Sequence, residues 1–300
     1  MIAAYHPELL DYRGGADLEL TAAGFLTRGV SPAGELQRSP AQFRLSLGPS
    51  RLRGPLPLIS CLMPTKNRFE QVKLAVHSFR VQTWPNKELV VIDQNHDGCL
   101  AAWLQSLNDP SIRVYRMPGL REPLGMIRNR SIGLAAGGLL CNWDDDDLQH
   151  PARLEIAATA MTAAKAALCL LDRQTIWGPI ERRVAVTAPD RVCTGSVLVT
   201  RSAGLWYVAT SLGEDIPAVG DLLRRFPAVM LDLPELYVRI VHGHNTCAPQ
   251  YLEGRWRTAT ELATGHAAQE VLAQLSEVYP VAEYAAAVRS EMSPAVAQPA

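Results

Sequence analysis

The chain has 300 residues, 48% hydrophobic and 20% charged, which suits one large globular domain with accessory segments. Its 29 basic and 30 acidic residues leave a net charge of −1, so no electrostatic footprint for nucleic acid or an anionic membrane is present. Because no apolar stretch approaches about 18 residues and the start lacks a signal-peptide pattern, we expect a cytoplasmic protein without stable membrane insertion.

The six cysteines are widely scattered and show no CxxC spacing. Most of them lie inside apolar runs, where cysteine behaves as a small hydrophobe. We therefore predict reduced, structural cysteines and no zinc site.

Residues 1–55 are predicted to form an N-terminal extension and linker. Up to about residue 48, short apolar pieces alternate with Gly, Ser and Pro, which predicts short strands or irregular structure. The stretch 48–57 combines turn-forming residues with three prolines and is typical of a linker.

From residue 56 to 255 the pattern predicts one α/β domain. Strands alternate with helices in its first part, which predicts a mostly parallel, Rossmann-like central sheet flanked by helices. The predicted strands there are 58–63, 88–92, 112–116 and 138–143, and the predicted helices are 69–82, 100–107, 125–136 and a long one over 151–171. The second half is mixed, with strands at 182–187, 193–200, 228–233 and 236–241 and a helix at 218–226.

The C-terminal part differs from this domain. Residues 256–292 are rich in Ala, Glu, Gln and Leu at helical spacing, which predicts one or two helices. Residues 293–300 show no pattern and are predicted to be a disordered tail.

Four consecutive aspartates, Asp144–Asp147, follow the apolar strand predicted over 138–143. Carboxylates crowded at one strand end repel one another, and a hard divalent cation among them would relieve that repulsion. A solvated acidic turn or a helix N-cap would suit the same residues. The four residues alone leave both interpretations open.

An ordered set of motifs extends over about residues 57–246. An apolar strand ends in a Pro-Thr-x-Asn-Arg turn, and further pieces follow it along the chain. The pieces are Pro64–Arg68, the strand end at Asp93, Arg128–Arg130, Asp144–Asp147 and Pro151–Glu155. In this order they resemble family 2 glycosyltransferases, which are GT-A-type enzymes that use nucleotide sugars.

The resemblance implies a DxD motif that holds the donor through Mn²⁺ or Mg²⁺. Asp144 would then meet the ribose and Asp146 the metal, whose charge offsets that of the departing nucleoside diphosphate. We assign Asp145 to the donor-binding residues. Three other roles remain possible for both Asp145 and Asp147, which are support of a residue that contacts the ligand, contact with the acceptor, or capping of a helix.

The resemblance also implies a binding site for the donor nucleotide at the carboxyl edge of the sheet. Asp93 would contact the base, with Pro64, Thr65 and Arg68 as the neighbouring wall. Arg128 would contact the nucleotide and diphosphate through charge-assisted hydrogen bonds.

Glycosyl transfer with inversion requires a base that takes the acceptor proton. In the resemblance Gly213-Glu214-Asp215 matches the acidic pair of the family, with Asp215 as base and Glu214 as its positioning residue. His242 and His244 follow a predicted strand where such enzymes often supply a metal or diphosphate contact, and sequence does not separate them.

We therefore predict an inverting, metal-dependent glycosyltransferase with a nucleoside-diphosphate sugar as donor, a UDP-sugar by default. The acceptor would be a small molecule, a glycan or a peptide, and a homodimer is left open. The alternatives are a nucleotidyltransferase on a related fold, for which Pro64-Thr65-Lys66-Asn67 lacks the glycine-rich signature, and a non-catalytic domain that binds sugar or a partner.

Overall fold

The computed structural model describes residues 2–31, 35–189 and 192–292, so the tail predicted over 293–300 lies outside the described residues. The described strands form two sheets of different size. The larger sheet contains β1 (Leu18–Val30), β2 (Leu36–Leu47), β3 (Ile59–Thr65), β4 (Lys87–Asp93), β5 (Ile112–Arg116), β6 (Leu139–Asn142), β8 (Leu168–Leu171), β11 (Cys193–Thr200) and β12 (Ala228–Leu231). The smaller sheet contains β7 (Leu148–Gln149), β9 (Thr175–Gly178), β10 (Arg183–Val186), β13 (Tyr237–Ile240) and β14 (Glu261–Thr264).

Helices pack against these sheets, and three of them lie in the C-terminal segment. They are α1 (Pro7–Asp11), α2 (Phe69–Arg80), α3 (Cys99–Ser106), α4 (Leu124–Leu134), α5 (Arg153–Ala164), α6 (Asp215–Arg225), α7 (Pro249–Arg257), α8 (Gly265–Leu275) and α9 (Val281–Met292), with short 3₁₀ turns at Arg201–Ala203 and Pro234–Leu236. Within the described part of the chain, none of these helices combines the length and apolarity that a membrane span requires.

The larger sheet has the strand order β2-β1-β12-β8-β11-β6-β3-β4-β5. Its β6-β3-β4-β5 part is parallel, whereas β11 runs antiparallel to both neighbours. Every residue of β3 is buried, as expected for a strand covered by helices on both faces. The predicted α/β fold, with a mostly parallel first part and a mixed second half, is confirmed.

The N-terminal segment forms a long hairpin, whereas short strands or irregular structure were predicted. β1 pairs with β2 along nearly its whole length and also with β12, which adds both strands to the edge of the larger sheet. At the crossing with β12, a side chain at Gly24 would meet the carbonyl oxygen of Met230 at 2.2 Å. The hairpin therefore extends the main sheet.

The predicted long helix over 151–171 is wrong in its second half. The helix α5 ends at Ala164, and Lys165 adopts a left-handed conformation with φ of 51°. The following apolar run becomes β8, which pairs in parallel with β12. A short apolar run fits a buried strand as well as a buried helix, so periodicity could not separate the two.

The four aspartates lie in the turn between β6 of the larger sheet and β7 of the smaller one. Both sheets therefore meet at this turn. The core of the smaller sheet includes residues from α8 and α9 and two N-terminal side chains, Ile2 and Tyr5. The N-terminal and C-terminal segments thus support the smaller sheet from the same core.

Candidate active site

A cavity of about 700 Å³ opens where the two sheets meet. Its walls include the end of β3, the aspartate turn, the N-terminal ends of α4 and α6, and the loop after β13. The predicted residues Pro64, Thr65, Arg68, Arg128, Asp144, Asp145, Asp146, Glu214 and Asp215 all line it. Residues that are far apart in the sequence therefore face one space.

Asp144 is held from two sides. Its Oδ1 accepts a hydrogen bond from Arg128 Nη2 at 2.9 Å, and its Oδ2 accepts one from Tyr237 Oη at 3.0 Å. Gly195 packs beside it, since a β-carbon there would lie 3.1 Å from Asp144 Oδ2. The carboxylate is thus fixed at the cavity wall by neighbours from three other segments.

Asp145 and Asp146 share one cation. Arg68 Nη1 lies 2.7 Å from Asp145 Oδ1 and 2.7 Å from Asp146 Oδ2, and Arg68 Nη2 donates to the His244 carbonyl at 3.0 Å. Burial raises the pKa of Asp145 to about 6 despite Arg68. Burial would also raise the pKa of Asp146, but Arg68 and His242 outweigh it and lower that pKa.

Asp147 points away from this cation and into the smaller sheet. Its Oδ1 accepts from the Ile240 backbone N–H at 2.9 Å, and its Oδ2 contacts the Tyr237 hydroxyl. Burial, together with the charge of Asp146, raises the pKa of Asp147 to about 8. Asp147 therefore ties the turn to β13 and is not among the residues that line the cavity.

Arg128 connects the two sides of the cavity. Its Nε donates to Glu214 Oε1 at 2.9 Å, while its Nη2 donates to Asp144. Burial raises the pKa of Glu214 even though Arg128 is adjacent. Nη1 of Arg128 is buried without a hydrogen-bond partner among the described residues, so this guanidinium has one donor group to spare.

Asp215 is the first residue of α6 and follows Glu214 at the helix N-cap. The Thr194 hydroxyl donates to Asp215 Oδ2. In the part of the chain that the structure describes, no hydrogen bond to Oδ1 is formed, and Asp215 is one of the residues that line the cavity. Gly125 allows α4 to approach the loop that precedes α6, since a β-carbon at Gly125 would lie 1.9 Å from the Val208 carbonyl oxygen.

The structure separates the two histidines. His242 is buried and its Nε2 lies 3.1 Å from Asp146 Oδ2. The His244 backbone N–H donates to His242 Nδ1 at 3.3 Å, which assigns the ring proton of a neutral His242 to Nε2. The His244 side chain is exposed and only its backbone meets the site, through Arg68.

Asp93 lies behind the cavity wall. It pairs with Thr65 across β3 and β4, is fully buried, and accepts from the Asn95 backbone N–H at 2.9 Å. Its Oδ2 has no hydrogen-bond partner among the described residues and lies 3.9 Å from Arg116 Nε. Gln94, the next residue, lines the cavity instead.

Sequence reasoning missed three residues that shape the site. Tyr237 contacts Asp144 and Asp147, and the Tyr284 hydroxyl of α9 donates to the Asp146 backbone carbonyl. Arg239 of β13 lines the cavity, and within the described residues it has no ion pair and a buried Nε without a partner. An arginine inside the apolar strand Tyr237–Ile240 was the sequence signal for the last of these.

Asp146 and His242 suit a metal ion whose coordination shell is completed by phosphate oxygens. No group of three or more His, Cys, Asp or Glu side chains in the described residues could hold a metal by itself. Mg²⁺ ions in nucleotide sites usually take one or two carboxylates and complete their shell with water and phosphate. Asp146, whose side chain is 12% exposed at the cavity wall and whose pKa is lowered, fits that role with His242 beside it.

Comparisons with known proteins point to a glycosyltransferase family. Residues 60–186 match the family model described as glycosyl transferase family 2. The putative colanic acid biosynthesis glycosyl transferase WcaA of Escherichia coli K12 is 35% identical over 106 residues, which cover 33% of this chain and 36% of that protein. The chain therefore spans little more than a third of this curated relative.

Two solved structures share the fold. S. aureus TarS 1–349 in complex with UDP-GlcNAc matches with a TM-score of 0.52 at 16% identity, over 63% of this chain and 60% of that one. The complex of the same protein with UDP matches with a TM-score of 0.50 at 17% identity, over 67% and 63%. At this identity the likeness concerns the fold alone, and it supports the predicted GT-A-type architecture.

Proposed function

We propose that this chain, whose residues 60–186 match the glycosyl transferase family 2 model, transfers a sugar, with inversion and with the help of a divalent metal, from a nucleoside-diphosphate sugar to a nucleophilic acceptor. A UDP-sugar is the default donor, since UDP-GlcNAc and UDP are the ligands named for the TarS structures. One observation carries the proposal: Asp144, Asp146 and Asp215 line the same cavity.

The donor would occupy the charged side of the cavity. Asp144 would meet the ribose, Pro64 and Thr65 would flank the base, and Asp93 would support this wall from behind. Arg128 Nη1 and Arg239 Nε, which are buried without a hydrogen-bond partner among the described residues, would donate to the diphosphate oxygens, because a buried charged donor requires an acceptor.

The acceptor would approach Asp215. The hydroxyl oxygen of the acceptor would form a bond to the anomeric carbon of the donor sugar, while the bond from that carbon to the diphosphate breaks. Asp215 Oδ1 would take the hydroxyl proton. The Thr194 hydroxyl on Oδ2 holds the carboxylate in place during this step. Asp146, with His242 beside it, would hold Mn²⁺ or Mg²⁺, and the ion would supply positive charge that offsets the charge of the departing nucleoside diphosphate.

The test is a screen of UDP-, GDP- and dTDP-sugars, each with and without Mn²⁺, in which release of the nucleoside diphosphate is measured. Release that depends on the metal supports the proposal. Release of pyrophosphate in a parallel assay with a nucleoside triphosphate and a sugar phosphate would instead indicate a nucleotidyltransferase, and binding of a nucleotide sugar without any release would indicate a non-catalytic domain. No hydrolysis or transfer with any donor would contradict the proposed function.

The acceptor class, a small molecule, a glycan or a peptide, stays a prediction, as do the cytoplasmic location and self-association. The domain limits 1–55, 56–255 and 256–292 also stay predictions. Leu212 and Ile216 are exposed apolar side chains that line the cavity together with Asp215. We expect the acceptor to contact these two side chains.

A further inference from the structure

Arg68 takes a place that a metal ion would need. A single nitrogen, Nη1, lies 2.7 Å from one oxygen of Asp145 and 2.7 Å from one oxygen of Asp146. The same Asp146 oxygen also meets His242 Nε2 at 3.1 Å. The protein's own cation therefore neutralises the carboxylate that is proposed to hold the metal.

Arg68 and a divalent cation would compete for this carboxylate. A guanidinium does not lose its charge in a protein, so it repels a second cation at short distance. If Arg68 left without replacement, Asp145 and Asp146 would be buried side by side without a counter-charge, which is strongly unfavourable. Departure of Arg68 and arrival of the metal are therefore expected to occur together.

The surroundings of Arg68 allow this exchange. Its side chain is 18% exposed at the cavity, and its other described anchor is one backbone carbonyl, that of His244. Arg128, in contrast, is 9% exposed and is held at 2.9 Å by both Asp144 and Glu214. Of these two arginines, Arg68 is the one that can turn toward a ligand in the cavity.

We propose that Arg68 is an exchangeable counter-ion, which holds Asp146 in the donor-free protein and turns to the donor diphosphate when the metal engages Asp146. The inference rests on the proposed function, because it takes the metal and the diphosphate from it. Its consequence is thermodynamic coupling: each of Mn²⁺ and UDP binds more tightly when the other is present, partly through Arg68.

The experiment measures Mn²⁺ binding by calorimetry or by the electron paramagnetic resonance signal of free Mn²⁺, with and without UDP. Wild type is compared with Arg68→Met and with Arg121→Met, which removes an exposed arginine that lines the same cavity. We expect Arg68→Met to bind Mn²⁺ alone about 10-fold more tightly than wild type, and its enhancement by UDP to fall by a similar factor. Arg121→Met should stay within about 2-fold of wild type, since solvent screens an exposed charge.

Unchanged or weaker binding of Mn²⁺ to Arg68→Met would overturn this inference alone. If neither protein binds Mn²⁺ with UDP bound, the metal dependence in the proposed function fails and takes the inference with it. Should Arg68→Met not fold, Arg68→Lys replaces it. Lysine keeps the charge but lacks the planar fork and the reach of arginine. We therefore expect Arg68→Lys to bind Mn²⁺ more tightly than wild type, but by less than the roughly 10-fold expected when the charge is removed. An affinity equal to that of wild type in Arg68→Lys would contradict the proposal.

Discussion

Asp215→Asn is expected to abolish transfer while leaving the fold and donor binding intact. The amide oxygen of Asn can still accept the hydrogen bond of Thr194, so the side chain stays in place. What the amide cannot do is take the acceptor proton. Loss of a general base typically costs a factor of about 10²–10⁴ in rate, which corresponds to about 3–5 kcal/mol of activation free energy.

The assay compares the turnover of nucleotide release with the dissociation constant for UDP in the same preparation. Turnover should fall by about 10²–10⁴, and UDP affinity should change by less than about 3-fold. Asp221→Asn is the matched control, because Asp221 lies on the same helix and forms an exposed pair with Arg225. A surface pair of this kind contributes little, so this control should match wild type in both measurements. Wild-type turnover in Asp215→Asn would refute the assignment of the base.

Three further changes test the diphosphate contact and the buried groups that support the smaller sheet and the aspartate turn. Arg239→Gln should weaken the affinity for UDP by roughly 10-fold or more, because a charge-assisted hydrogen bond to the diphosphate is lost. The affinity for UMP should change much less, and equal losses of affinity for both nucleotides would contradict this role of Arg239. Glu235→Gln tests a carboxyl whose pKa burial raises from 4.5 to about 8. Between these pH values the unfolded chain ionises while the folded protein keeps its proton, so wild type should lose stability relative to Glu235→Gln as pH rises from 4.5 to 8, by on the order of 3 kcal/mol at pH 7. Urea unfolding at pH 4.5 and 7 checks this, and a difference that does not vary with pH would be against it. Tyr284→Phe should cost about 1–3 kcal/mol, since it leaves the buried Asp146 carbonyl without its donor; urea unfolding measures the loss, and unchanged stability would count against that contact.

The central part of the fold could be predicted because its signals are local. Buried parallel strands such as Ile59–Thr65 are continuous apolar runs. The predicted limits of Ile112–Arg116, at the sheet edge, and of the antiparallel strand Cys193–Thr200 agree with the structure residue for residue. Pairing between distant segments carries no local signal. The predicted pieces before residue 48 therefore gave no indication that β1 would pair with β12. The run Leu168–Leu171 was misread as helix because its strand partner lies in β12 as well.

In the site, as in the fold, local motifs could be recognised from the sequence, whereas contacts between distant segments could not. Short motifs surround the residues that could be named from the sequence and that line one cavity, which are Asp144, Asp145, Asp146, Arg128 and Asp215. The separate tasks of the aspartates depend on partners from distant segments. Asp146 meets Arg68 from the end of β3, and Asp147 meets Tyr237 from β13. No reading of Asp-Asp-Asp-Asp alone could assign these partners, because backbone geometry in the turn decides where each side chain points.

The bonds across the cavity floor form one connected chain of groups. Glu214 accepts from Arg128, Arg128 donates to Asp144, and Tyr237 bonds Asp144 and Asp147. Glu214 precedes the proposed base, whereas Asp144 belongs to the proposed donor site. Buried groups in one such network do not respond independently to substitution. Glu214 and Asp144 are therefore linked through Arg128, and a change at either of these two carboxylates should shift the contacts of the other.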